Sequence, residues 1–168
     1  ACLGLASHYV AGTDLHEYRA RIADQRGDIH CTNRELDKAE ANYKLAQETA
    51  DASGQLWLQA HVGNSIARLR LVQGRPAAAK QILESFEPVW KQTKNYGKYL
   101  YLLGRTEAAL GNYGNAEEIY RSALENLKTF GLRSTEALTR DRLAQLLMKL
   151  GRKEEACVEW ARALKLSE

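Results

Sequence analysis

The chain has 168 residues, of which 45% are hydrophobic and 27% charged, with a formal net charge of +3 and a mean hydropathy of −0.48. That balance belongs to a chain that buries a core, and the length allows one ordinary domain. It excludes a membrane-spanning helix, since no apolar run reaches the roughly 18 residues a span needs. The three cysteines, Cys2, Cys31 and Cys157, form no CxxC pair and are odd in number, which favours a reducing, intracellular home. No secretory leader is visible, and the first residue is Ala1 rather than an initiator methionine, so the chain reads as processed or as cut from something longer.

In chain order, residues 1–10 read as the end of a helix. Ala6 stands 28 residues before Arg34, the offset by which Ala46 precedes Gly74 and Ala123 precedes Gly151. Gly12, Thr13 and Asp14 read as a break, with Thr13 or Asp14 as a cap. A helix is then expected from Asp14 to about Thr32, with Leu15, Tyr18, Ile22 and Ile29 on one stripe. Its partner begins near Glu35 and ends before Gly54. Next come Leu58, Val62, Ile66 and Leu69 at helical spacing, and then Gly74. Pro76 opens the following helix, where its missing N–H costs nothing. Pro88 is expected to kink or end that helix near Glu87. Leu100, Leu103 and Leu110 mark another helix, followed by Asn112-Tyr113-Gly114-Asn115 as a short turn and a helix closed by Gly131. The stretch from Glu136 to Ser167 reads as helix, turn at Gly151, helix. The sum is nine helices: one partial, then four antiparallel pairs.

Sliding the chain along itself exposes a repeat. Small or apolar pairs precede each turn: Leu143 and Ala144 before Gly151, Leu103 and Gly104 before Gly111, Ile66 and Ala67 before Gly74, Arg26 and Gly27 before Arg34. After each turn come Ala156, Ala116, Ala79 and Ala39, then Trp160, Tyr120, Leu83 and Tyr43. The anchor alanines are 40, 37 and 40 residues apart. Glycine suits the turn because it takes a left-handed conformation without a Cβ penalty. The small residues let two helix backbones approach, and the large ones fill the space between neighbours. One helical hairpin cannot bury both faces, so such units stack.

The leucine and small pair, the turn glycine, the alanine five later, the aromatic four after that and a further alanine three on resemble the tetratricopeptide repeat family, in a long-helix variant with a period near 40 residues. Arg34 in place of the turn glycine and Glu107 in a position that is usually large and apolar depart from the pattern. The resemblance implies an all-α fold, an α-solenoid of stacked antiparallel helix pairs wound as a right-handed superhelix. It implies one solenoid over 1–168, with 1–12 the tail of a truncated repeat and full repeats at 13–54, 55–94, 95–131 and 132–168. The outer face of the last repeat, with Val158 and the neighbours of Trp160, is expected to pack on more chain or another subunit.

The resemblance also implies a protein–protein interaction scaffold whose first helices line a concave groove. Carried over by position, the inward residues are Asp24 and Asp28, then Asn64 and Arg68, then Lys98, Tyr101 and Arg105, then Asp141, Gln145 and Lys149, with Arg142 adjacent. Asp24 and Asp28 stand where a clamp on a peptide's terminal carboxylate would need lysine and asparagine. A basic strip of Arg68, Lys98 and Arg105 remains. Stacking would set Arg68 and Arg105 on neighbouring first helices, with Lys98 two turns before Arg105. Residues 55–131 carry ten basic and six acidic groups, so an acidic peptide or protein segment is the expected partner. Asn64, Arg68, Lys98, Tyr101, Arg105, Arg142, Gln145 and Lys149 are the expected binding residues. An alternative is the sensor or linker region of a larger modular regulator of bacterial type. A nucleic-acid-binding solenoid is a further alternative that Asp24, Asp28 and Asp141 oppose, since they would face phosphate. No catalytic motif, cofactor motif or metal-ligand spacing is present. His8, His16, His30 and His61 are scattered. The expectation is a non-enzymatic, cytoplasmic chain without cofactor or metal.

Overall fold

The computed structural model describes residues 12–167, with side chains from 15 to 166. The partial helix expected over residues 1–10, with Cys2, Ala6 and His8, lies outside the described residues, as do the side chains of Thr13 and Asp14. Within the described residues there are eight α-helices and no strand. They fall into two compact units, Ala1–Gly74 and Arg75–Glu168.

The first unit holds α1 (Gly12–Thr32), α2 (Leu36–Ser53) and α3 (Leu56–Val72). Helix α1 packs on α2, and α3 packs on both. The periodicity expected for α1 is present, but its buried face is a different one. Leu15, Tyr18, Ile22 and Ile29 are all exposed, whereas Ala20, Ala23 and Asp24 are at most 3% exposed and Gly27 is buried beside them. The cause is the distance between the helices. A Cβ on Gly27 would lie 2.5 Å from Cε1 of Tyr43, so the contact face admits only small residues. The backbone is also already helical at Gly12, ahead of the break expected at Gly12 to Asp14.

Four of the turns between helices are closed in the same way. Glu35 donates its N–H to the His30 carbonyl, Asn112 to Glu107, Leu132 to Leu127 and Arg152 to Leu147. These are the long-range closures of Schellman turns, which leave the preceding residue left-handed. Gly111, Gly131 and Gly151 hold that place with φ of 86°, 65° and 80°, and Arg34 holds it with φ of 61°.

The second unit holds α4 (Pro76–Lys91), α5 (Tyr96–Ala109), α6 (Tyr113–Thr129), α7 (Arg133–Lys149) and α8 (Lys153–Ser167). Helix α4 packs on α5, α5 on α6, α7 on both α5 and α6, and α8 on α7. Pro76 opens α4 as expected, but the helix runs through Pro88 to Lys91. Trp90, two residues beyond Pro88, is buried, and its burial favours one more turn over the carbonyl that Pro88 leaves unpaired. The turn expected at Asn112 to Asn115 is shorter: α6 begins at Tyr113, so Gly114 and Asn115 are helical. Gly104 repeats the contact of Gly27, with a Cβ there lying 2.7 Å from the Tyr120 ring. Tyr120, Leu124, Leu143, Ala144, Leu147, Ala116 and Ala156 form one buried cluster, with Trp160 packed at its edge.

Two polar groups sit inside this apolar frame. Glu107 is 1% exposed; it accepts from Lys80 at 2.8 Å and from Asn112 at 2.7 Å. Burial pushes its carboxyl up, and hydrogen bonds from Lys80, Asn112 and Asn115 together pull it below the usual carboxylate range. Arg140, 5% exposed, holds Glu136 of its own helix at 2.8 Å and ties α7 to α8 through Glu159 at 2.5 Å.

Three stability measurements test this account, each by urea unfolding with the far-UV spectrum as reference. Gly104→Ala gains helix propensity but drives a methyl into the Tyr120 ring, so a net loss of about 1–3 kcal/mol is expected. Arg34→Gly relieves a left-handed penalty of about 1–2 kcal/mol and adds unfolded-chain entropy of about 0.5–1 kcal/mol, so a gain of about 0.5 kcal/mol is expected. Arg140→Ala leaves the buried Glu136 unpaired and Glu159 with Arg162 alone, and is expected to cost about 3 kcal/mol.

Candidate functional site

The sequence-derived binding residues divide between the two units. In the first unit, Asn64 and Arg68 lie on α3. Arg68 is not a free cation: its guanidinium donates to Asp28 of α1 and lies 3.4 Å from the hydroxyl of Tyr43, which itself donates to Asp28 at 2.6 Å. Burial works against the charge on Arg68, and Asp28 and Tyr43 outweigh it, so the group titrates above its usual value. Burial, with Asp28 beside it, likewise raises the Tyr43 hydroxyl. Asp24 is buried with Oδ2 3.3 Å from Nε2 of His61. Arg70 holds Glu40 at 2.8 Å. The inner positions of this unit therefore read as inter-helix ion pairs. The side-chain carbonyl of Asn64 is buried among them without a hydrogen-bond partner.

The second unit assembles a different arrangement. Arg105 on α5 and Arg142, Gln145 and Lys149 on α7 line one recess of about 210 Å³, together with Ala108, Tyr113, Tyr120 and Leu146. Helix α7 supplies its three residues because positions three and four apart share a face, and the packing of α7 on α5 turns that face toward Arg105. The cations rest on aromatic rings. Lys149 Nζ lies 4.5 Å from the centre of the Tyr113 ring, and the guanidinium of Arg105 lies 5.7 Å from that of Tyr101. Such contacts contribute about 0.5–1 kcal/mol at exposed sites and leave the charge available. Arg142 donates to Gln145 at 3.1 Å, while its Nε is buried with no hydrogen-bond partner.

No carboxylate lines the recess among the described residues. Asp141 stands behind it, accepting from Gln145 at 2.7 Å and from the Trp160 indole at 3.0 Å. Elsewhere in the unit, Arg121, Arg140, Arg152 and Arg162 each hold a glutamate. Burial raises the Tyr120 hydroxyl, and the nearby charges of Arg105 and Arg142 act against that rise.

Of the expected set, Arg105, Arg142, Gln145 and Lys149 thus come together, with Tyr101 packed beneath Arg105. Lys98 is an exposed residue of α5 and is not among the lining residues. Tyr113 was expected in a turn and Tyr120 in the core, so their part in the recess was not anticipated. The positional signal for Tyr113 is its place directly after the turn, at the start of the second helix, where it faces the end of the next first helix.

Residues 97–126, most of α5 and α6, match the family described as tetratricopeptide repeat. No curated protein sequence matches the chain. Among solved structures, the apo form of RapI is similar in fold, with a TM-score of 0.71 at 12% sequence identity, over 88% of this chain and 55% of that one. The chain thus spans about half the length of that neighbour, and at such identity the likeness concerns the fold alone. Paired helices closed by left-handed turns, small residues under large rings and a tetratricopeptide repeat matched at residues 97–126 give the chain an all-α helical repeat fold of the solenoid class.

Proposed function

We propose that the chain is a protein-interaction scaffold whose second unit receives an acidic segment of a partner protein in the recess of Arg105, Arg142 and Lys149. The observation that carries this reading is a set of three cations around one recess whose lining contains no carboxylate. Two guanidinium forks suit the paired oxygens of a carboxylate, each such bond being charge-assisted. Lys149 adds a less directional charge from the α7 end, and Gln145 a neutral amide. Arg68 is left out, because Asp28 already neutralises it. The role is one of binding, without catalysis or cofactor, by a chain working inside the cell.

The test titrates fluorescein-labelled oligoglutamate with the full chain, read by anisotropy. Arg105→Ala/Arg142→Ala/Lys149→Ala is expected to lose binding with its far-UV spectrum intact, whereas Arg68→Ala binds like the parent. Affinity is expected to fall with added salt, since exposed charges are screened over about 10 Å at 0.1 M. Binding that survives the triple substitution, or tighter binding of single-stranded RNA than of oligoglutamate, overturns the reading.

A further inference from the structure

The first unit holds another copy of the frame around the cationic recess, with an anion already seated in it. A shift of 77 residues carries Gly27, Asp28, Tyr43 and Arg68 onto Gly104, Arg105, Tyr120 and Gln145, and Ser65 and Val72 onto Arg142 and Lys149. The ring contact is kept: Tyr43 covers Gly27, and Tyr120 covers Gly104. In the first unit the hydroxyl at the end of that ring donates to Asp28 Oδ1 at 2.6 Å, and the guanidinium of Arg68 donates to the same oxygen. One hydroxyl and one cation thus serve a single negative charge. In the second unit Arg105 stands in place of the acid, and Arg142 and Lys149 stand where the first unit has Ser65 and Val72. Tyr120 is 2% exposed, yet it is one of the residues that line the recess. Its hydroxyl has Arg105 and Arg142 as charged neighbours, and no carboxylate of the described residues lines the recess to accept from it.

We infer that the anion this recess receives is a phosphorylated serine or threonine of the partner segment, its oxygens held by Arg105, Arg142 and the Tyr120 hydroxyl, with Lys149 supplying a further charge. The inference rests on the recess being the seat of an acidic segment, and it names the acid. Charge is the first reason. A carboxylate brings one negative charge to three cations, and the two positive charges left over repel each other across the recess. A phosphoryl group brings a charge of about −1.5 to −2 at neutral pH and three strong acceptor oxygens. The direction of the donors is the second reason. Arg105 comes from α5, Tyr120 from α6 and Arg142 from α7, so the three donors reach the recess from three helices. A tetrahedral group offers an oxygen to each, whereas a planar carboxylate has two. Size is the third. A recess of about 210 Å³ lies below the ~300 Å³ at which sites for drug-sized molecules begin, so it admits the end of a short side chain and not a nucleotide.

Three fluorescein-labelled peptides of one length are titrated with the full chain, all glutamate except for a central glutamate, serine or phosphoserine. The phosphoserine peptide is expected to bind roughly tenfold or more tighter than the glutamate peptide, since it gains a hydrogen bond to a charged group. Tyr120→Phe keeps the ring on Gly104 and removes only the hydroxyl. It is expected to weaken the phosphoserine peptide by roughly tenfold or more with an unchanged far-UV spectrum, and Arg142→Gln is expected to do the same. Inorganic phosphate equimolar with the peptide is not expected to displace it. Equal binding of the glutamate and phosphoserine peptides overturns the inference and leaves the acidic-segment reading standing, whereas no binding of either overturns both. A phosphoserine preference untouched by Tyr120→Phe and Arg142→Gln also overturns it, by putting the phosphoryl group elsewhere. Displacement by equimolar inorganic phosphate does so too, by making the free anion the ligand.

Discussion

Everything in the two units depends on how closely the helices of a pair approach. At Gly27 and Gly104 the ring of a tyrosine from the partner helix occupies the place of a Cβ. That contact decides which face of each helix is inward, and hence which side chains are left outward to do anything else. Tyr43 shows the link most directly. Its ring lies on Gly27, and its hydroxyl donates to the neighbouring Asp28 of α1, which also holds Arg68 of α3. A packing constraint thereby becomes a charge constraint: fixing the ring fixes where the carboxylate is used.

The same contact occurs in both units, yet their inner surfaces differ in the charges they carry. In the first, Asp28 on α1 meets the guanidinium of Arg68 on α3, and Asp24 lies against the His61 ring, so both contacts tie helix to helix. In the second, α5 carries Tyr101 and Arg105 at comparable places, and α7 brings Arg142 and Lys149 rather than acids. The positive charges then rest on Tyr101 and Tyr113. Aromatic faces hold cations in place without neutralising them, whereas carboxylates do both. The difference between a structural ion pair and a receptive pocket lies in a few substitutions along one helix face.

The repeat made much of this legible in advance. Small residue, turn and anchor alanine recur at fixed offsets, whereas the rings of Tyr43 and Tyr120, expected between neighbouring units, lie against Gly27 and Gly104 of their own pairs. What stayed hidden depended on partners. The stripe of Leu15, Tyr18, Ile22 and Ile29 has helical period, yet hydrophobicity alone favours the larger face, and the separation of α1 from α2 excludes it. Arg68 looked available because its partner, Asp28, is 40 residues away in sequence. Arg140 and its two glutamates gave no signal, since a charged residue on a helix reads as solvated until its neighbours are known. Pro88 looked like a stop because a local rule was applied without the buried Trp90 beyond it.

The same register that defines the core also explains why one leucine is buried and its equivalent is a surface. Leu124 and Leu164 occupy corresponding places, and the difference between 6% and 68% exposure comes from whether a further first helix lies over them. In a protein built by repetition, a position has no intrinsic burial; it inherits burial from the next unit. The cationic recess arises the other way, by departure from the copy, where Arg142 and Lys149 face Arg105 in place of the acids found in the first unit.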